Sequence, residues 1–234
     1  MKDAVIRNIL ENKLIVIIRG VEDEKLLPLV KAMYDGGVRL VELTYDNSGK
    51  VEDEHTAENI AMLKKYFGDI MNIGAGTVTS TSRVELTHKA GGEFIISPDV
   101  NGDVIKATVN REMVSIPGAL TPTEIQNAQN CGADFVKLFP VTSMGPEYVK
   151  AVKAPLSNVR MLAVGGVNLE NIPEYLKCGV CGFGLGSNII DKKLLAASDY
   201  EAITALAEKY VKAVRGKKFG KLHNYRRRNH QYQS

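Results

Sequence analysis

Four times along this chain a stretch with helical spacing ends in glycine and a short apolar run follows. The segments are Asp35-Gly36-Gly37-Val38-Arg39-Leu40-Val41-Glu42-Leu43, Ala90-Gly91-Gly92-Glu93-Phe94-Ile95-Ile96, Cys131-Gly132-Ala133-Asp134-Phe135-Val136-Lys137-Leu138 and Cys178-Gly179-Val180-Cys181-Gly182-Phe183-Gly184-Leu185. Glycine just past a helix takes the left-handed conformation at no Cβ cost. Continuous apolar strands that alternate with amphipathic helices mean βαβ units and a parallel sheet covered on both faces. Extended to the whole chain, the pattern predicts eight strands, near Leu14–Ile18, Leu40–Thr44, Asn72–Ala75, Phe94–Ser97, Met113–Ile116, Phe135–Phe139, Met161–Val164 and Cys181–Leu185. Helices fall between them, among them Asp23–Tyr34, Glu54–Tyr66, Thr123–Asn130, Glu147–Ala154 and Glu170–Lys177, with a last one over Asp199–Val214. Thr121-Pro122-Thr123-Glu124 reads as a capped helix start. Eight strand–helix units match an α/β fold of the (β/α)8 TIM-barrel type, one domain over residues 1–215. An open doubly wound sheet is the alternative. It wants a dinucleotide fingerprint after the first strand, and Arg19-Gly20-Val21-Glu22-Asp23 is not one.

Composition narrows the setting. A length of 234 residues with 44% hydrophobic content suits one such domain. No apolar run approaches the ~18 residues of a membrane span, and charges interrupt the first seven residues. No membrane partner is therefore expected, and a cytoplasmic location is. Three cysteines do not make a disulfide framework, and Cys178-Gly179-Val180-Cys181 has no second ligand pair for zinc. The histidines His55, His88, His223 and His230 are scattered, which argues against a catalytic metal held by clustered histidines. Residues 216–234 carry Lys217, Lys218, Lys221, Arg226, Arg227 and Arg228 and no acid. Without those six cations the net charge of +3 becomes a mildly acidic −3 for the body. The tail reads as a poorly ordered, solvated extension, with binding of nucleic acid or an acidic partner as the lesser alternative.

In a TIM barrel the chemistry sits at the C-terminal ends of the strands. Two ionisable residues lie well inside apolar strands near those ends, Lys137 and Glu42. Alternation puts Phe135, Lys137 and Phe139 on one face, and Leu40, Glu42 and Thr44 on one face. If both faces point inward, an amine and a carboxylate share the cavity. Burial can lower a lysine pKa by up to about 3–5 units, which makes Lys137 a candidate amine nucleophile toward carbonyl substrates. Glu42 is then its general acid/base. The competing reading is a structural ion pair, but buried pairs are weak devices for stability.

The turns Gly165-Gly166 and Gly184-Leu185-Gly186-Ser187-Asn188 follow the seventh and eighth strands, where barrels bind phosphate through backbone N–H groups. Gly165, Gly166, Gly186 and Ser187 are the candidate phosphate ligands. Arg19 ends the first strand, and its planar guanidinium suits a carboxylate. Thr77, which closes Gly74-Ala75-Gly76-Thr77, adds a hydroxyl. Thr44, Pro98 and Pro117 end their strands at the same mouth and are expected to line the pocket.

Together these residues resemble a known family, the 2-keto-3-deoxy-6-phosphogluconate and -galactonate aldolases, class I pyruvate-dependent lyases. The resemblance runs from about Leu14 to Lys212. It is carried by Gly36-Gly37-Val38-Arg39-Leu40-Val41-Glu42-Leu43-Thr44, Ile73-Gly74-Ala75-Gly76-Thr77-Val78, Ile96-Ser97-Pro98, Ile116-Pro117-Gly118, Val136-Lys137-Leu138-Phe139-Pro140 and Val164-Gly165-Gly166-Val167. It implies that Lys137 forms a Schiff base with C2 of a 2-keto acid and that Glu42 shuttles protons. It implies that Thr77 and an arginine hold the carboxylate and that Gly165, Gly166 and Ser187 hold the phosphate. Pyruvate and glyceraldehyde 3-phosphate would be the products, no metal or other cofactor would be needed, and the assembly would be a homotrimer. Relaxed members also cleave 4-hydroxy-2-oxoglutarate.

Two positions depart from the gluconate branch of that family. Asp46 stands where an arginine often follows the glutamate, and Val164 where a threonine often precedes Gly-Gly. Both are similar to the galactonate branch, in which an arginine at the end of the first strand takes the carboxylate, as Arg19 can. Asp46-Asn47-Ser48-Gly49 follows neither branch, and an acid there would repel a phosphate or read a hydroxyl. A phosphosugar isomerase or epimerase on the same barrel, with no Schiff base, is the alternative function. A binding protein acting through the basic tail ranks last, since it leaves Lys137 and Glu42 unexplained.

Overall fold

The protein is described from a computed structural model that covers residues 2–216. The basic tail expected to be poorly ordered therefore lies outside the described residues. Chain order is α1 (Lys2–Asn12), β1 (Leu14–Ile18), α2 (Asp23–Asp35), β2 (Leu40–Thr44), α3 (Asp53–Phe67), β3 (Asn72–Gly76), α4 (Thr81–Lys89), β4 (Phe94–Ile96), α5 (Gly102–Asn110), β5 (Val114–Ile116), β6 (Gly118–Ala119), α6 (Pro122–Asn130), β7 (Val136–Leu138), α7 (Gly145–Lys153), β8 (Met161–Val164), α8 (Ile172–Lys177), β9 (Gly182–Leu185), α9 (Lys192–Ala196) and α10 (Tyr200–Arg215). The four helix-ending glycines behave as their chemistry requires: Gly37, Gly91, Gly132 and Gly179 all have φ between 81° and 97°. Thr121 caps α6 in a full capping box with Glu124, and Pro122 opens the helix.

The strands are all parallel, in the order β5-β4-β3-β2-β1-β9-β8-β7-β6. Only Pro117 separates β5 from β6, so the two ends of that order are one chain segment. The expected fifth strand is thus a strand in two pieces, because proline has no N–H to continue the ladder. The first piece pairs with β4 and the second with β7. Closure runs through Lys137 N–H donating to the Pro117 carbonyl at 2.8 Å and Phe139 N–H to that of Ala119 at 3.1 Å. The result is the expected (β/α)8 barrel.

Two apolar layers follow from strand alternation. Val16, Val41, Ile73, Ile95, Val136 and Met161 point outward and join the inner faces of the helices. Ile15, Leu40, Phe94, Ile96, Val114, Ile116, Phe135 and Leu162 point inward and fill the lumen. Helix α1 was not read in the sequence, although Val5 and Ile9, and Ile6 and Leu10, stand at i, i+4. Val5 and Ile9 belong to the lumen cluster, so α1 plugs the N-terminal end of the barrel. Two residues on from Leu40 and Phe135 come Glu42 and Lys137, which therefore also face the lumen.

Lumen glycines make space for large neighbours. A Cβ on Gly74 would lie 2.5 Å from the Phe94 ring, and one on Gly184 2.9 Å from Val164. Overpacking a filled core typically costs about 1–3 kcal/mol. Gly74→Ala should lower stability in urea unfolding by that amount, and Phe94→Leu in the same chain should recover part of it. Equal stability of Gly74→Ala and wild type would show that the lumen has slack.

Candidate active site

Glu42 and Lys137 occupy the C-terminal half of the lumen on strands β2 and β7. Glu42 is 1% exposed and Lys137 8%. Glu42 pairs in register with Ile17 of β1 and Gly74 of β3, and its carboxylate fills the space left by Gly76, where any Cβ would collide with it. Oε2 of Glu42 is buried without a hydrogen-bond partner. Burial therefore raises its pKa from an ordinary 4.5 to about 7, while Lys137 and Arg19 pull it down. Burial likewise lowers the pKa of Lys137, Glu42 opposes that shift, and Arg19 adds to it. The three side chains thus share one electrostatic field. Lys137 Nζ sits 4.5 Å from the centroid of the Phe139 ring. The arrangement offers an amine whose charged form burial disfavours, sharing the lumen with a carboxyl that exchanges its proton near neutral pH.

Arg19 is exposed at the end of β1, and its Nη2 donates to Thr77 Oγ1 at 3.1 Å. Thr77 has φ +58°, an uncommon conformation for a β-branched residue. Two clefts open beside Arg19. One of about 520 Å³ is lined by Ile17, Arg19, Lys25, Gly186, Ser187 and Lys192, among others. The other, about 350 Å³, is lined by Arg19, Thr44, Asp46, Ser48 and His55, among others. Lys137 and Glu42 line neither cleft, but Ile17, the register partner of Glu42, lines the first.

The remaining expected residues divide. Gly186 and Ser187 share the first cleft with Arg19, and Thr44 shares the second. Gly165 and Gly166 line neither cleft. They turn with φ of +89° and +74° against Thr142, beside Phe139 and Pro140 at the end of β7. Among the described residues, the backbone amides of Gly165, Gly166, Gly186 and Ser187 have no hydrogen-bond partner. Pro98 is exposed and Pro117 buried, and neither lines a cleft. The Pro98 carbonyl crowds Gly118, where a Cβ has no room, and Pro117 breaks the fifth strand.

Asp46 lines the second cleft and also folds its own loop. Its oxygens accept from Ser48 N–H at 2.9 Å, Ser48 Oγ at 2.7 Å, Lys50 N–H at 2.9 Å and Val51 N–H at 3.2 Å. The Ser48 bonds are the largest cause of a pKa held well below the usual carboxylate range. Three of the four bonds fall on Oδ2, and Oδ1 accepts only from Ser48 N–H, so Asp46 folds its loop and keeps acceptor capacity on Oδ1. One residue escaped the sequence reading, Arg83 on α4. It ties the Asp46 loop to Thr77, and its only sequence signal is a cation shortly after Gly-Ala-Gly-Thr. Cys131, Cys178 and Cys181 are free, and Cys181 Sγ donates to the Met161 carbonyl. Among the described residues no cluster of three or more metal-ligating side chains occurs, and no helix is long and apolar enough to cross a membrane.

Residues 5–206 match the family model described as "KDPG and KHG aldolase". The chain belongs to that family. It is 36% identical over 203 residues to the 2-dehydro-3-deoxy-6-phosphogalactonate aldolase of Escherichia coli strain K12, covering 86% of this chain and 94% of that one. It is 31% identical over 204 residues to the 2-dehydro-3-deoxy-phosphogluconate aldolase of Treponema pallidum, covering 86% and 91%. The crystal structure of the KDPG aldolase from Legionella pneumophila, with pyruvate captured as a covalent carbinolamine, superposes with a TM-score of 0.78. That pair is 28% identical and covers 89% and 97% of the two chains. The Lys137–Glu42 pair, the Arg19–Thr77 pair and both glycine turns all lie inside the matched segment of this KDPG and KHG aldolase family member.

The buried carboxyl makes a pH prediction. Glu42 has a pKa near 4.5 when unfolded and about 7 when folded. Its contribution to stability is fully present below the first value and is lost as pH rises through the second. Wild type should therefore lose stability relative to Glu42→Gln between about pH 5 and about pH 8 in urea unfolding. A pH-independent difference would mean that Glu42 titrates as in water.

Proposed function

We propose that the protein is a class I aldolase that cleaves a 2-keto-3-deoxy-6-phospho sugar acid to pyruvate and glyceraldehyde 3-phosphate. The observation that carries this is the buried Lys137 amine set beside a buried carboxyl with a pKa of about 7. Neutral Lys137 Nζ adds to the C2 carbonyl and gives a carbinolamine. Glu42 carries the proton that lets hydroxide leave as water, which forms the iminium. Glu42 then takes the proton of the C4 hydroxyl. The C3–C4 bonding pair moves toward the iminium nitrogen, the aldehyde departs, and an enamine remains. Protonation at C3 and addition of water release pyruvate and restore the amine. A pKa near 7 suits a group that must both give and take protons at neutral pH.

The Arg19 guanidinium and the Thr77 hydroxyl hold the substrate carboxylate, and the free amides at Gly165, Gly166, Gly186 and Ser187 hold the phosphate. With Arg19 at the end of β1, the galactonate-type substrate is the better candidate, ahead of the gluconate type and 4-hydroxy-2-oxoglutarate. A homotrimer and a cytoplasmic setting belong to the same proposal.

Borohydride with pyruvate should leave one stable adduct, on Lys137, and Lys137→Met should abolish it. A folded wild type without adduct would favour the isomerase alternative, which needs no Schiff base. Glu42→Gln should lower kcat by about 10²–10⁴-fold. For substrate choice, kcat/KM should be highest for the phosphogalactonate type. A higher value for the phosphogluconate type would reverse that assignment.

A further inference from the structure

Arg83 is the most heavily engaged cation among the described residues, yet it lines neither cleft beside Arg19. It lies near the start of α4, and its side chain is 11% exposed. Nε donates to both carboxylate oxygens of Asp53, at 3.0 and 2.8 Å. Nη2 donates to the Asp46 carbonyl at 2.9 Å. Nη1 donates to the Thr77 carbonyl at 3.1 Å and to Asn47 Oδ1. The guanidinium carbon also stands 5.1 Å from the centroid of the Tyr45 ring, and Tyr45 is buried directly after β2. One planar fork thus joins the start of α3, the loop after β2 and the turn after β3.

That turn is where strain sits. A β-branched residue at positive φ is strained and persists only where its surroundings over-determine it. Arg83 holds Thr77 by its carbonyl, and Arg19 donates to its hydroxyl. Asp53 offsets the charge of Arg83, whereas Arg19 makes no ion pair among the described residues. Of the two guanidinium groups, one is spent on the scaffold and the other is free for an anion.

We propose that Arg83 is a positioning residue for keto-acid recognition: it fixes Thr77 in its left-handed turn so that the Thr77 hydroxyl and the Arg19 guanidinium are set to receive the substrate carboxylate. This rests on the aldolase function proposed above. A lysine cannot replace it, because an ammonium is a point donor and cannot span Asp53, Asp46 and Thr77 together.

The test is borohydride trapping of pyruvate on the full chain, read by intact mass against pyruvate concentration, beside thermal unfolding. In Arg83→Met and Arg83→Lys the half-saturating pyruvate concentration should rise about tenfold, within what a small misplacement of a binding group costs. The trapped fraction at saturation and its pH dependence, which belong to Lys137 and Glu42, should stay as in wild type. Added guanidinium should restore affinity in Arg83→Met and leave wild type unchanged. Arg19→Ala with Arg83→Met should lose less than the product of the two single losses, since both act on recognition of one carboxylate. Should Arg83→Met fail to fold, Asp53→Asn loosens the same clamp from its other end and should show the same rise. Unchanged half-saturation in a folded variant overturns the proposal, as does full function in Arg83→Lys or failure of Arg83→Met and Asp53→Asn to fold. Weaker pyruvate capture in Arg19→Ala alone would leave the aldolase function standing while Arg83 falls. A wild type that traps no pyruvate removes both.

Discussion

The ladder between β6 and β7, with Lys137 N–H donating to the Pro117 carbonyl at 2.8 Å and Phe139 N–H to that of Ala119, closes the barrel. Without that closure the strand order has two free edges and encloses no lumen. With it, the residue whose backbone seals the sheet carries its amine into the space the seal creates. Pro117 supplies the carbonyl of that bond, and its missing N–H interrupts the fifth strand between the piece paired with β4 and the piece paired with β7. Closure and the placement of the proposed nucleophile are therefore one structural event.

Inside that closed space the same chemical group behaves in opposite ways at two positions. Glu42 and Asp46 are four residues apart. Glu42 faces an apolar lumen with one oxygen unpartnered, and its pKa rises to about 7. Asp46 accepts bonds from its own loop, and its pKa falls. Desolvation without hydrogen bonds raises a carboxyl pKa and bonds to the charged form lower it. The barrel retains a destabilising group in its lumen and uses a stabilising one to fold its rim. Buried charges rarely add stability, so Lys137 and Glu42 are better explained by the proton and electron movements they allow.

Much of the architecture was legible in the chain because its signals are local. Glycines at 37, 91, 132 and 179 take the φ their helix ends require. Alternation put Glu42 on one face with Leu40 and Lys137 on one face with Phe135, since a strand turns its side chains with a period of two, and the closed barrel made those faces the lumen. Other features were not legible. The two hydrophobic pairs of α1 look like any amphipathic helix until they are seen to plug the barrel. Arg83 reads as an ordinary surface cation of a short helix. The partners it ties together, Thr77, Asp53 and Asp46, lie 6, 30 and 37 residues away in the chain, and no spacing rule connects them. The loop bonds of Asp46 were hidden for a related reason, since only the path of the loop brings the N–H groups of Ser48, Lys50 and Val51 to its oxygens.

The amino-acid sequence by itself determined where most strands lie, which residues share a strand face and which chemical groups those faces carry. Those follow from residue type and short-range periodicity. Only the tertiary structure decided how the barrel closes, how strongly burial shifts Glu42 and Lys137, and which arginine is free. Closure depends on the carbonyls of Pro117 and Ala119 meeting a strand from elsewhere in the chain. A pKa shift depends on every atom around a group. Arg19 and Arg83 have identical side chains, and what separates them is that Asp53 folds against one and not the other.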